Sequence, residues 1–400
     1  MHERRTPYLL VACLFFNTGC ASGQVDGKPE IAPLQNVEHT TTNAAEAGEK
    51  PELDRATIAE LDRELQTAVD EKTLSGIVAM IERDGVVGYR ETFGFGDIAA
   101  EQPMETDTIL RIYSMTKPIV AVAAMSLWEE GAFTLDEPIS KHLPEWKSPK
   151  IRVRGKLVPA TTAITPRHLM THTMGIGKGA VSPRPHLMSL DSFSRRLSEQ
   201  PLASEPGTKY RYGYSIDVLG RYLEVIEGKS LDVILRERVL DPLGMTDTEF
   251  WIEDTGDLER TAQLYTRTEE GTLKSVLSKR MLRRKPKAML GGQGLLSTTD
   301  DYAKFCRMLA NGGTVEETTI LKPETVSLMQ RNHLKDIGGT YGLGGWADGS
   351  GIYFWGGYAG TKFWVVTPEK AFAIYMVQRS RYEPPTGKVF QRLSRQALQN

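Results

Sequence analysis

Cysteine is scarce in this chain: three residues in 400, too few for a fold held together by a network of disulfides. An excess of charge of one sign is also missing, because 49 Lys and Arg residues offset 51 Asp and Glu residues. The net charge of -2 gives no electrostatic reason to expect a nucleic-acid partner. What remains is the composition of a soluble globular protein, with 40% hydrophobic and 25% charged residues, at a length that predicts two lobes or subdomains.

The first twenty residues predict an export signal, because two arginines precede an apolar run that is too short to span a bilayer. The run ends in residues 17–20 (NTGC), which resemble a bacterial lipoprotein processing site where Cys20 is lipidated. Asn17 departs from the aliphatic residue usual there, and plain cleavage nearby stays as the alternative. We expect residues 1–20 to be a signal peptide of lipoprotein type. The protein is then exported to the periplasm or cell envelope and anchored at Cys20.

Residues 21–52 are rich in Gly, Pro, Asn, Thr, Glu and Ala and lack apolar periodicity, which predicts a flexible linker. Apolar residues at helical spacing then predict a helix at 53–69, and two β-branched segments predict a hairpin of 76–83 with 86–95. The middle has helical patterns at 119–130, 166–171, 191–199, 216–227, 231–239 and 302–310. The end predicts strands at 351–355, 362–367 and 372–377 and a helix at 389–398.

Strands at both ends around a helical middle predict an α/β (α+β) fold for residues 53–400. We expect an antiparallel sheet flanked by the N- and C-terminal helices, plus an all-helical subdomain at about 118–300. The cleft between the sheet and this subdomain is the expected pocket. Cys306 lies in an apolar pattern at helical spacing and is predicted to be a buried core residue.

Ser114 and Lys117 form the only Ser-x-x-Lys of the chain, between a strand-like segment at 108–113 and a strongly apolar helix at 119–128. Residues three apart on a helix lie on one face with Cβ atoms roughly 5–6 Å apart, so Lys117 can reach the serine hydroxyl as a base. Free N–H groups at the start of the helix favour a developing negative charge. A nucleophilic serine is therefore indicated. The alternative, an exposed Ser and Lys on a surface helix, does not fit the apolar helix that follows.

Residues 114–118 (SMTKP) resemble the nucleophile motif of class C β-lactamases, DD-peptidases and, most closely, family VIII carboxylesterases. Residues 206–220 (PGTKYRYGYSIDVLG) resemble the second motif of this superfamily, in which the tyrosine is Tyr212 here. The resemblance implies a β-lactamase/transpeptidase-like fold and a serine hydrolase without a cofactor. It implies that Ser114 is the acyl-accepting nucleophile and that Lys117 and Tyr212 are the general bases.

Without the resemblance, Tyr212 is only one of three tyrosines that alternate as in a strand, and a core role would be the simpler interpretation. A phenol has an ordinary pKa near 10, so Tyr212 can act as a base only beside a cation such as Lys117.

The chain departs from the β-lactamases at two positions. Tyr214 stands where they carry the Asn of Tyr-x-Asn, which helps to bind the acylamide side chain of the substrate. Trp355, Gly356 and Gly357 stand in place of Lys-Thr-Gly, as is typical of family VIII esterases, so the cation for a substrate carboxylate is missing. The resemblance implies that these four residues bind substrate, with glycines that let it approach the backbone closely. For Trp355, a packing role in the core is an equally good interpretation. Neutral esters or amides are favoured over β-lactams.

The resemblance also implies an oxyanion hole made by the backbone N–H groups of Ser114 and Tyr358. His168 and His172 have the spacing of a helical metal pair, but no third ligand accompanies them, and their segment resembles a family stretch without a metal role. No metal is expected. The basic run 279–287 holds six Lys or Arg residues and is interpreted as a solvated loop, with contact to an anionic surface as the alternative.

The leading hypothesis is an esterase that acts on a small-molecule ester or amide through an acyl-enzyme. A β-lactamase or peptidoglycan DD-peptidase is the second hypothesis, which export favours and the two departures disfavour. A lipid-anchored binding protein without catalysis is the third, and the intact Ser114, Lys117 and Tyr212 argue against it. Contact with a membrane is expected only through the N-terminal anchor.

Overall fold

The computed structural model of the protein describes residues 53–177, 188–380 and 385–399. The predicted signal peptide and linker, including Cys20, lie outside the described residues. Among the described helices, not one combines the length and the apolar character needed to cross a bilayer.

The described strands fall into one large sheet and four two-stranded pairs. The described strands are β1 Gly76–Arg83, β2 Val86–Asp97, β3 Gln102–Pro103, β4 Leu110–Arg111, β5 Lys150–Val153, β6 Lys156–Pro159, β7 Tyr265–Arg267, β8 Leu273–Ser275, β9 Leu296–Ser297, β10 Thr314–Val315, β11 Thr318–Thr319, β12 Trp346–Ala347, β13 Ile352–Gly356, β14 Lys362–Val366 and β15 Ala371–Val377.

The large sheet has seven strands in the order β12-β13-β14-β15-β1-β2-β3, and all its pairs are antiparallel. Strand β1 pairs with β15, so N-terminal and C-terminal strands form one sheet, as the sequence predicts.

Most of the described helices lie in the middle of the sequence, between residues 116 and 310. The described helices are α1 Arg55–Asp70, α2 Thr116–Glu129, α3 Pro166–Met170, α4 Leu190–Ser198, α5 Ser215–Glu227, α6 Leu231–Leu235, α7 Thr255–Glu259, α8 Thr299–Ala310, α9 Pro323–Met329 and α10 Pro385–Gln399. Helix α6 continues into a π-helical turn at Arg236–Leu240.

The sheet separates two hydrophobic clusters because successive side chains of a strand point to opposite faces. On β15, Phe372, Ile374 and Met376 join the cluster on the side of the helical middle. Ala373 and Tyr375 join the cluster under α1 and α10, which pack on each other. The expected antiparallel sheet flanked by terminal helices is confirmed.

The middle of the chain is not entirely helical, which corrects the expected all-helical subdomain. It contains the hairpin of β5 with β6 and the pair of β7 with β8. Strand β6 is exposed at all four residues, so it has no buried face and no apolar alternation to reveal it. The strand-like segment 108–113 is likewise reduced to β4, which pairs with β9.

Phe390 on α10 is fully buried and lies against Tyr375 of the sheet, with ring centroids 5.5 Å apart. We expect Phe390→Ala to lower the free energy of unfolding by about 3–5 kcal/mol, because it removes a large buried ring and leaves a cavity. Chemical denaturation measures this loss. Phe95→Ala, at a ring that is 42% exposed, is the control and should cost less than about 1 kcal/mol. Equal losses in the two variants would contradict the packing of α10 on the sheet.

Candidate active site

Ser114 lies in a single 3-10 turn, Tyr113–Met115, that leads directly into α2. Two hydrogen bonds fix this turn in the core: the Tyr302 hydroxyl donates to the Met115 carbonyl at 3.0 Å, and the Leu295 N–H donates to the Thr116 hydroxyl at 3.1 Å. The first ten residues of α2 are all buried. The turn therefore presents Ser114 from a helix that cannot shift without disturbing the core.

Three side chains meet at the Ser114 hydroxyl. Tyr212 Oη donates a hydrogen bond to Ser114 Oγ at 2.7 Å, and Lys117 Nζ lies 3.2 Å from the same oxygen. Lys117 Nζ also lies 4.7 Å from the centre of the Tyr212 ring. Ser114 and Tyr212 are partly exposed, whereas Lys117 is buried. The structure thus brings the three predicted residues together.

The rings of His172 and Trp355 pack against Tyr212. The His172 ring is fully buried and its centroid lies 4.7 Å from that of Tyr212, and the Trp355 centroid lies 5.5 Å from it. The Arg211 N–H donates to the His172 carbonyl at 2.7 Å, which ties the segment before Tyr212 to the scaffold. His172 is therefore part of the support of Tyr212. His168 caps α3, where its Nδ1 accepts the Thr165 N–H.

Lys117 has a second set of neighbours that the sequence analysis does not single out. Its Nζ donates to the Gly292 carbonyl at 2.5 Å, and the Gly292 N–H donates to Asp217 Oδ1 at 2.9 Å. Asp217 belongs to the first turn of α5 and is 3% exposed. Burial raises the pKa of its carboxyl to about 6, and the nearby Lys117 opposes this rise. A buried carboxylate therefore lies close to the lysine of the site.

Gly357 follows β13 at the edge of the site. A Cβ on this residue would lie 2.2 Å from Thr361 Oγ1 and 2.4 Å from the Ile112 carbonyl oxygen. The glycine lets the end of β13 pack against the backbone just before Ser114. This packing is one physical reason for the glycine, and the role of Gly357 toward a substrate stays a prediction. At Gly356 the nearest atom is 3.1 Å away.

The N–H groups expected to bind an oxyanion belong to Ser114, in the turn before α2, and to Tyr358, which follows β13 and Gly357. Ser114 is in the first turn of its helix, where N–H groups have no intrahelical acceptor. Within the described part of the chain, no acceptor is paired with the Tyr358 N–H. The side chains of Tyr113 and Tyr358 meet edge to face with centroids 5.4 Å apart. Tyr113 has a φ of +46°, an uncommon conformation for a residue with a side chain.

The two remaining predicted substrate contacts also have packing partners. Tyr214 precedes α5 and lies 5.3 Å from the Phe193 ring, on the surface of the core. Trp355 packs on Tyr212 and on Tyr341, and its buried Nε1 has no hydrogen-bond partner among the described residues. Their roles toward a substrate stay predictions.

The other singled-out features lie apart from the convergent residues. Cys306 is buried, as predicted. Most side chains of the basic run 279–287 are exposed. A surface pocket of about 520 Å³ is lined by Gln263 and residues 275–280, and none of the three convergent residues lines it.

Comparisons with known proteins agree on one family. The beta-lactamase family model matches residues 61–397. Protein Rv1367c of Mycobacterium tuberculosis is 37% identical over 287 residues, which make up 68% of this chain and 71% of that protein. Esterase EstB of Burkholderia gladioli is 37% identical over 213 residues, 50% of this chain and 53% of that esterase. The fold is similar to the solved structure of EstCE1, described as a hydrolase with promiscuous acyltransferase activity, with a TM-score of 0.74 and 24% identity over 86% of this chain and 99% of that one.

The tight packing at Gly357 predicts that a single methyl group is not tolerated there. Gly357→Ala should lower the free energy of unfolding by on the order of 2 kcal/mol, because the new Cβ would overlap Thr361 and the Ile112 backbone. Thermal or chemical denaturation measures the loss. Gly356→Ala is the matched control and should cost clearly less. A Gly357→Ala protein as stable as the wild type would mean that β13 does not pack this closely on the nucleophile segment.

Proposed function

This chain belongs to the β-lactamase family, and from that premise we propose that it is a serine hydrolase that cleaves carboxylic esters through an acyl-enzyme on Ser114. One observation carries the proposal: a tyrosine hydroxyl at 2.7 Å and a lysine amine at 3.2 Å both lie within reach of the hydroxyl oxygen of Ser114, a partly exposed residue. Such a base adjacent to a serine is what activates an otherwise weak nucleophile. The membership itself makes the chain a hydrolase of this family.

In the first half of the proposed reaction, Ser114 Oγ attacks the ester carbonyl carbon and its proton passes to Tyr212 or Lys117. The negative charge that develops on the carbonyl oxygen is stabilised by the N–H groups of Ser114 and Tyr358. The tetrahedral intermediate then breaks its bond to the leaving oxygen, which takes up the proton and departs as an alcohol.

In the second half, a water molecule attacks the acyl carbon while Tyr212 or Lys117 accepts its proton and passes it to the departing Ser114 oxygen. Ser114 then leaves with its proton restored and the carboxylic acid is released. Lys117 Nζ lies 4.7 Å from the centre of the Tyr212 ring, which is the placement beside a cation that a phenol needs to act as a base. The cycle needs no cofactor.

The choice of esters over β-lactams rests on the residues around the nucleophile. Trp355 replaces the lysine that would pair with the carboxylate of a β-lactam, and Tyr214 replaces an amide that would bind its acylamide group. An apolar ring favours a neutral substrate at this position. The name of Esterase EstB, 37% identical over half of this chain, supports the same choice.

We expect the wild-type protein to turn over a short-chain nitrophenyl ester far faster than it opens a chromogenic cephalosporin. Ser114→Ala should reduce ester turnover by at least 10³-fold, because the nucleophile is lost. Steady-state kinetics with both substrates measure this. Rapid cephalosporin opening without esterase activity would contradict the proposal and favour a β-lactamase.

The same assay separates the proposed role of Tyr212 from that of its neighbours. Tyr212→Phe keeps the ring and removes the hydroxyl, and a lost proton-transfer group costs about 10²–10⁴-fold in kcat. Tyr210→Phe is the matched control, since the Tyr210 ring packs in the same aromatic cluster but makes no hydrogen bond to Ser114. Equal activity of the two variants would contradict the role of Tyr212.

We further propose that the protein is exported and anchored to the envelope through a lipid on Cys20, with residues 21–52 as a tether. The charged start, the short apolar run and the NTGC segment support this. In a bacterial host, Cys20→Ala should abolish incorporation of a labelled fatty acid and move the protein from the membrane fraction to the soluble envelope fraction. Cys306→Ala is the control, and it should label like the wild type. Absence of label on the wild-type protein would favour plain cleavage.

A further inference from the structure

The buried carboxylate nearest to the proposed active site is Asp217, and neither the resemblance nor the comparisons give it a role. It lies in the first turn of α5, five residues after Tyr212, and is 3% exposed. Its partners are backbone groups: Oδ1 accepts the Gly292 N–H at 2.9 Å, and its own N–H helps to neutralise the charge. A carboxylate buried this deeply is costly unless a cation balances it.

Lys117 is the only cation that acts on this carboxylate in the described structure. It is buried too, at 3% exposed, and its ammonium donates to the carbonyl oxygen of the same Gly292 that donates to Asp217. One glycine therefore links the two charges, with its N–H toward the carboxylate and its carbonyl toward the lysine.

The absence of a side chain at Gly292 is what permits this link. A Cβ there would lie 2.7 Å from Asp217 Oδ2 and 3.1 Å from Oδ1. A side chain at this position would displace the Asp217 carboxylate from its hydrogen bond with the Gly292 N–H. Asp217 and Gly292 thus together determine where the Lys117 ammonium group lies.

We propose that Asp217 is a positioning residue of the proposed esterase: through Gly292 it holds Lys117 beside Ser114, and its negative charge balances the ammonium. The inference rests on the proposed function, since it concerns the proton that Lys117 or Tyr212 must accept. A purely structural role, as a buried cap in the first turn of α5, is the alternative.

The two roles differ in their effect on the pH profile. The titratable groups that face the carboxylate are Lys117 from α2 and Tyr214 beside α5, and Tyr212 faces Lys117 from the other side. A negative charge at Asp217 attracts the positive ammonium of Lys117 and repels a negative charge on the Tyr212 oxygen, so it opposes the removal of a proton from the site. Without this charge, ester turnover extends to lower pH, whichever of the two groups accepts the serine proton. A structural cap would have no such effect.

The test is the pH dependence of kcat/KM for a nitrophenyl ester in the wild type and in Asp217→Asn. The amide is of equal size and its oxygen can still accept the Gly292 N–H, so the lysine stays in place while the charge is lost. We expect the acid limb of the profile to move to lower pH by on the order of one unit. An acid limb at the wild-type position, whatever the activity on the plateau, would overturn the proposal and leave only the structural role.

Asp301→Asn is the matched control. Asp301 is 2% exposed and accepts the Asp247 N–H at 2.7 Å, but it lies on α8 and pairs with Lys304 instead of Lys117. The acid limb of the pH profile of Asp301→Asn should stay at the wild-type position. A shift equal to that of Asp217→Asn would also overturn the proposal.

If Asp217→Asn does not fold, as judged by circular dichroism, Asp217→Ser provides the same test with a smaller neutral residue. Ester turnover by the wild type and its loss in Ser114→Ala report on the proposed function separately. If both of these results are obtained and the acid limb of the pH profile does not move in the Asp217 variants, the role of Asp217 is refuted while the proposed function stands.

Discussion

The hydrogen bond between Tyr212 and Ser114, 2.7 Å long, is the contact on which the account of this molecule depends. It joins residues 98 positions apart in the chain, so it exists only if the nucleophile turn and the segment before α5 are both fixed in place. The buried helix α2 fixes the turn, and α5, which packs against α2, fixes the segment. The packing of α2 against α5 therefore brings together the two residues that precede these helices, Ser114 and Tyr212.

Close backbone approach is the second constraint. Gly357 allows β13 to lie against the residue two before Ser114, and Gly292 allows the Asp217 carboxylate to approach the carbonyl that holds Lys117. In both places a single methyl group would meet atoms at less than 3 Å. At these two places only glycine leaves room for the neighbouring atoms, and the charges of the site are placed by backbone groups as well as by side chains.

Much of the fold is predictable from the sequence because its long elements have a clear apolar period. The hairpin of β1 and β2, the strands at the C-terminal end and helices such as α5 are found within a few residues of their predicted bounds. The hairpin of β5 and β6 is missed because it buries almost nothing. At the site, the motif spacing predicts Ser114 and Lys117. Asp217 belongs to the second motif, but its role is not predicted, since a charged residue in a helix start is normally a solvated one. Only its burial under Gly292 reveals it.

The most direct test of the central claim is a crystal structure of the protein after reaction with a fluorophosphonate. The account predicts phosphorus bonded to Ser114 Oγ, the phosphoryl oxygen between the N–H groups of Ser114 and Tyr358, and Tyr212 Oη and Lys117 Nζ both within about 3.5 Å of the serine oxygen. An adduct on any other residue, or a Tyr212 hydroxyl turned away from the modified serine, would contradict it.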